Sequence, residues 1–183
     1  GICSLNPNVE RLALGCIMEI SKEGNLTNYE IRECVIKSKY RMTYSNVNKI
    51  IDGDEELSKK YFELVPSIIN MVELSEKIRR IRTKKGALEF DVPEYKFDLD
   101  SDGSPINITL RERDKAEKLI EDFMLMANET VAYNMKIMSL ACVYRIHEKP
   151  DQYKLKEAVT MLGKMGVSVE LPKKEIKAKQ LQI

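Results

Sequence analysis

"EKLIEDFMLMANETVA", residues 117–132, decides how the rest of the chain is organised. Ile120, Phe123, Met124, Ala127 and Val131 recur at helical spacing, which predicts one apolar face of a helix. The periodicity extends from about Arg113 to Ile137, so a long helix is expected there. Glu121, Asp122 and Asn128 interrupt the apolar run. Glu121 and Asn128 are seven residues apart and share a stripe beside the apolar one, as ordinary surface or as the lining of a groove. Glu121 and Asp122 point about 100° apart on a helix and make a poor acid–base pair with each other. Asp122 is read as surface, or as support for its neighbour.

Upstream of this helix, "EYKFDLD" (94–100) and "PINITL" (105–110) alternate and predict a hairpin. Its turn, "DLDSDG" (98–103), copies the start of a calcium-binding EF-hand loop. That loop needs a bidentate Glu at its twelfth position, where this chain has Thr109. A turn rich in Asp and Gly is the better reading. Earlier still, "RLALGCIMEIS" (11–21) and "NYEIRECVIKS" (28–38) flank "EGN" and predict a first antiparallel hairpin. "TYSNVNKII" (43–51) predicts a short helix capped by Thr43. Gly53 then stops one helix and Asp54 starts another. Residues 55–82 are mostly helical in pattern, with Pro66 set to kink or divide them, and Gly86 ends the run. "ALEF" (87–90) reads as a short strand. After the long helix, "ACVYRI" (141–146) reads as a strand and 151–166 as a helix between an Asp151 cap and Gly166. Residues 167–183 are polar and expected to fray. With no internal repeat or convincing linker, one α+β unit over 1–183 is the simplest architecture.

Composition bounds the function. The 183 residues are 43% hydrophobic and 32% charged, enough for one globular domain with a core. No stretch approaches the roughly 20 uninterrupted apolar residues of a membrane span, so no membrane partner is expected. The opening "GICSLNPNVE" has neither the basic head nor the apolar core of a signal peptide, and it lacks a starting Met, as a piece of a longer chain would. Cys3, Cys16, Cys34 and Cys142 are scattered without metal or redox spacing. Cys16 and Cys34 fall in apolar runs as small hydrophobes. A reducing, cytoplasmic setting fits. A net charge of +1 is far below that of a domain holding nucleic acid by charge alone. The one basic cluster, "KIRRIRTKK" (77–85), serves either a local nucleic-acid site or the macrodipole at a helix C-terminus. His147, the only histidine, sits beside Arg145 in "VYRIHE"; the pair suits a phosphate or merely solvent and a local carboxylate. No Gly-rich phosphate loop or nucleophile elbow is present, and spacing alone yields no complete catalytic constellation.

Five blocks, in order, carry a resemblance: "GICSLNPNVERLALGCIMEI" (1–20), "VIKSKYRMTYSNVNKII" (35–51), "KKGALEFDVPEYKF" (84–97), "LRERDKAEKLIEDFMLMANETVA" (110–132) and "VYRIHEKPD" (143–151). Together they resemble the catalytic domain of the ribonuclease II and ribonuclease R family, and ribonuclease R more closely. The resemblance implies a processive, Mg2+-dependent 3′→5′ exoribonuclease releasing nucleoside 5′-monophosphates from single-stranded RNA. It also implies that the family's aspartate-rich metal motif precedes the "SLNP" block and that an arginine-bearing motif follows the "YRxH" block. On that basis this chain is the middle of a catalytic domain. It is expected to hold no catalytic residue and no metal, to be inactive alone, and to self-associate through surface normally covered. A non-catalytic RNA- or protein-interaction domain on the same scaffold is the alternative.

What the resemblance leaves to this chain is positioning of the RNA 3′ end. Phe90 matches an aromatic that stacks on bases, against the plainer reading of a core phenylalanine. Glu121 matches a glutamate that accepts hydrogen bonds from the terminal ribose; an ionised carboxylate only accepts, and the 2′-hydroxyl it would read separates RNA from DNA. Tyr44 matches a tyrosine touching nearby sugar, against half-buried packing on its own helix. Arg113, Arg145 and His147 are implied phosphate contacts.

Overall fold

The computed structural model describes residues 2–87, 94–111, 114–146, 148 and 151–167. The α+β class expected from the sequence is observed. β1 (Glu10–Ile20) and β2 (Leu26–Lys37) form an antiparallel hairpin, and β3 (Glu94–Leu99) and β4 (Pro105–Arg111) form a second one. Among the described residues five helices complete the order: α1 (Tyr44–Ile51), α2 (Glu55–Lys60), α3 (Val65–Lys85), α4 (Lys115–Ile137) and α5 (Gln152–Lys164).

Helix ends fall where local chemistry demands. Thr43 Oγ1 accepts from the Asn46 N–H at 3.3 Å, and Asp54 Oδ1 accepts from the Leu57 N–H at 2.9 Å. Asp151 Oδ1 accepts from the Tyr153 N–H at 2.7 Å. Each satisfies a donor the helix itself leaves open. Pro66 divides the 55–82 segment instead of kinking it: α2 ends at Lys60, and α3 begins at Val65 with the proline in its first turn, where a missing N–H costs nothing. Gly86 ends α3 in the left-handed conformation, at φ 104°. In the β3–β4 turn, Asp100 Oδ1 accepts from the N–H groups of Asp102 and Ser104 at 2.9 and 2.8 Å, so this acid spends its oxygen on the turn.

The core lies between α3 and α4. On α3 the inward line runs through Ile68, Met71, Ser75, Ile78 and Arg82; on α4 it runs through Ala116, Leu119, Asp122, Met126 and Thr130. The two helices run parallel. Ile68 and Met71 share a wall with Ala116 and Leu119 near their starts, and Ile78 and Arg82 meet Met126 and Thr130 further on. At the centre Asp122 is 2% exposed, so the expectation of a surface residue is wrong. Its Oδ2 accepts from Ser75 Oγ at 2.7 Å and from Arg79 Nη2 at 2.6 Å, and its Oδ1 accepts from Arg82 Nη1 at 3.3 Å. A buried carboxylate survives only with its lone pairs filled, and here three donors from one helix fill them. The basic cluster 77–85 is therefore split, with Arg79 and Arg82 turned inward. The apolar stripe expected on α4 is also offset: Met124 and Val131 are exposed, because α3 and its arginines select the face through Leu119 and Asp122.

The first hairpin packs on the far half of α4. Tyr29 donates its hydroxyl to Asn134 Oδ1 at 3.1 Å and meets Tyr133 edge-on, while Met18 Sδ lies 3.5 Å from Thr130 Oγ1. The hairpin turn reaches α3 at Gly24, which is buried at φ 95°; a Cβ there would sit 3.1 Å from Lys77. Tyr95, Phe97, Leu99, Ile106, Ile108 and Leu110 remain exposed on the second hairpin. Residues 141–146 form no strand, contrary to the sequence pattern, and Val143 is 98% exposed. An extended apolar run becomes a strand only beside a ladder partner, and the described residues supply none. Residues 88–90 of the strand expected at 87–90 and residues 168–183 of the tail expected at 167–183 lie outside the described residues.

Asp122→Ala would remove the buried carboxylate that two part-buried arginines share. It is expected to lower unfolding stability by about 3 kcal/mol, the lower end for a broken buried pair because both arginines retain a route to water. Chemical denaturation checks this; a loss below about 1 kcal/mol, the worth of a surface pair, would remove Asp122 from the centre of the fold.

Candidate RNA-contacting groove

α1 lies antiparallel to α4 and closes a groove with it. The seam can be followed in three steps. At the end of α1, Lys115 Nζ donates to Asp52 Oδ1 at 2.5 Å. One turn back, Asn48 Oδ1 accepts from the Ala116 N–H at 2.8 Å, and Asn48 Nδ2 donates to Glu117 Oε2 at 3.2 Å. At the start of α1, Tyr44 and Val47 share a wall with Leu119 and Ile120. The groove so formed has a volume of about 690 Å3, with Ile68 and Met71 of α3 as its floor and Arg41, Thr43 and Ser67 adding polar atoms. Its size is that of a small-ligand cleft. Hydrogen bonding to Asp52, reinforced by its charge, raises the Lys115 ammonium above its ordinary range. Because the folded value is raised, this exposed pair contributes fully below the ordinary lysine pKa and fades only as pH climbs through the folded value.

Tyr44 is the first residue of α1, is 43% exposed and lines the groove. Glu121 follows Ile120 on α4 and is half-buried; Ile120 is on the groove wall, and Glu121, about 100° further round the helix, is not among the residues that line it. Arg145 is exposed in the irregular stretch 141–146, and no contact joins it to the groove among the described residues. Phe90, Arg113 and His147 lie outside the described residues. Among the described residues no three His, Cys, Asp or Glu side chains gather in a way that would hold a metal. Sequence reasoning missed Asn48. Its signal was present in the spacing Tyr44–Asn48 and Glu117–Glu121, two i,i+4 pairs, but their meeting is a tertiary fact.

The fold and groove define an α+β domain whose helical wall presents a tyrosine in an apolar cleft. A model of the RNB domain matches residues 1–183, and the chain belongs to that family. It is 42% identical over 182 residues to Ribonuclease R 1 of Lactococcus lactis subsp. lactis, covering all of this chain and 22% of that protein. It is 40% identical over 175 residues to Ribonuclease R of Thermotoga maritima, covering 95% of this chain and 24% of that one. The fold matches Mycoplasma genitalium RNase R, solved in complex with ribose methylated single-stranded RNA, with a TM-score of 0.88 at 27% identity, over 98% of this chain and 28% of that one. The chain thus spans less than a quarter of the length of these two curated relatives.

Thr43→Ala removes the cap that fixes the start of α1 and the direction of Tyr44. It is expected to cost about 1 kcal/mol of stability in thermal or denaturant unfolding; an unchanged midpoint would mean that packing alone holds that end of the helix.

Proposed function

We propose that this chain is the 3′-end-positioning part of a metal-dependent 3′→5′ exoribonuclease that hydrolyses single-stranded RNA to nucleoside 5′-monophosphates. The observation that carries the reading is the match of the RNB domain to all 183 residues, with Tyr44 standing at the mouth of the α1–α4 groove. Mycoplasma genitalium RNase R has been solved with single-stranded and with double-stranded RNA, which supports RNA as the ligand class. On this reading Glu121 accepts hydrogen bonds from the ribose hydroxyls, Tyr44 contacts the adjoining sugar, and Phe90 stacks on a base. Arg113, Arg145 and His147 meet phosphates. The described side chains do not form a metal site, so the proposal assigns no hydrolytic step to them and takes the Mg2+ ligands to be elsewhere in the polypeptide. The exposed apolar face of β3–β4 fits a segment that packs against further chain in a cytoplasmic enzyme.

The test uses 5′-labelled oligoadenylate, Mg2+ and a denaturing gel. The polypeptide encoded by the whole gene is expected to give a shortening ladder, and residues 1–183 alone none. A ladder from residues 1–183 would place the metal ligands within this chain; no ladder from the whole gene product would favour a non-catalytic interaction domain. In the whole gene product, Glu121→Ala is expected to lower the preference for RNA over DNA ends by roughly tenfold to a hundredfold, the worth of a hydrogen bond to a charged group. Unchanged preference would remove Glu121 from ribose recognition.

A further inference from the structure

We infer that Asn48 is a positioning residue that fixes the separation of Tyr44 and Glu121; the inference rests on the reading of those two side chains as ribose contacts. Asn48 lies one turn after Tyr44 on α1, and Glu117 lies one turn before Glu121 on α4. The Asn48 amide grips the first turn of α4 from both sides. Its oxygen accepts from the Ala116 N–H at 2.8 Å, and its amino group donates to Glu117 Oε2 at 3.2 Å. The Ala116 N–H belongs to the first turn of α4, where no helical carbonyl is available, and the carboxylate of Asp114, the residue capping that helix, accepts from the neighbouring Lys115 N–H. Asn48 therefore completes from another helix what the local cap leaves undone. The amide's polarity is fixed as well, since an N–H demands the oxygen and a carboxylate demands the amino group.

The other contacts along this seam do not do the same work. Val47 and Ile50 contribute apolar burial, which is non-directional and tolerates sliding. The Lys115–Asp52 pair is exposed on both sides and weakly constraining. Among the described contacts of this seam, the two directional hydrogen bonds of Asn48 tie α1 to a particular residue step of α4. The tie sits about 5.4 Å, one helical turn, from the level of Tyr44 and Glu121. A shift of α1 along α4 would move Tyr44 away from the sugar while leaving both ribose-contacting side chains intact.

The experiment measures the RNA-over-DNA preference at the 3′ end in the whole gene product. Asn48→Asp sets a second carboxylate against Glu117 and is expected to reduce the preference roughly tenfold, as a misplacement near 1 Å does. Combining Asn48→Asp with Glu117→Gln reverses the polarity of the pair: the new carboxylate still accepts from the Ala116 N–H and now accepts from the glutamine amide. The double variant is expected to recover most of the preference, which simple loss of stability would not predict. Asp52→Ala, which removes the exposed pair in the same seam, is expected to leave the preference unchanged. If Asn48→Asp does not fold, Asn48→Ala is read in the same assay with the same direction expected. Full preference in the Asn48 variants alongside a lost preference in Glu121→Ala would overturn the inference and keep the ribose reading. Folded single and double variants that are equally impaired would overturn it too. No effect from Glu121→Ala would bring down the ribose reading and the positioning role together.

Discussion

A single buried carboxylate holds the helical layer in place. Asp122 is enclosed by Ser75, Arg79 and Arg82, three donors spaced over two turns of one helix. Its short side chain requires α3 to approach closely, and its charge requires all three donors at once. Neither a rotation of α4 by one residue nor a slide by one turn keeps that set satisfied. Apolar neighbours such as Leu119 and Ile78 supply most of the burial energy, at about 1.5–3 kcal/mol for each fully buried side chain. They would tolerate several alignments; the carboxylate tolerates one. Buried polar groups are best justified as devices that select a register, and this one selects the rotation of α4.

That rotation has a consequence for the adjacent acid. Glu121 and Asp122 are consecutive and so point about 100° apart on the helix. With Asp122 locked toward α3, Glu121 points about 100° away from it, half-buried, and is not among the residues that line the groove. The shorter side chain is the one consumed in the core, and the order of the two acids in sequence sets which of them faces α3. A second lock acts across the groove, where Asn48 fixes α1 against the start of α4. One helix is held in rotation and the other in translation, and the groove between them has little freedom left.

What was legible in the sequence follows from the range of the forces involved. Thr43, Asp54 and Asp151 could be read as caps because a cap is satisfied within three residues of itself. The two hairpins were legible because period-2 alternation and a Gly-containing turn are local, and the DLDSDG turn was correctly read as a turn. The failures all concern partners distant in sequence. Residues 141–146 have the composition of a strand, yet a strand requires a neighbour that composition does not name. The stripe through Phe123, Met124 and Val131 looked like the buried face because apolar residues were counted and Asp122 was treated as an interruption. In fact Asp122 marks the face, 43 residues from Arg79 and 40 from Arg82. An arginine pair at i,i+3 on one helix and an isolated acid in an apolar run on another were the available signal. Nothing local joined them.

The same ion cluster bears on how a polyanion could be held. Read along the sequence, "KIRRIRTKK" offers a dense positive patch. In the fold, Arg79 and Arg82 each reach Asp122 with side chains only 28% exposed, so they add little to the outer field. With a formal net charge of +1 over 183 residues, little long-range attraction remains for a phosphate backbone. On the proposed reading, discrimination by this segment comes from contact, with the Tyr44 ring lining an apolar groove between helices held by internal polar bonds. Contact recognition of this kind is less sensitive to salt than charge neutralisation, because it releases few counter-ions. It is also more sensitive to small displacements, since hydrogen bonds lose strength steeply with distance and angle. A segment that recognised by geometry would need that geometry held from within, and the Asp122 cluster and the Asn48 amide lie inside the helical layer.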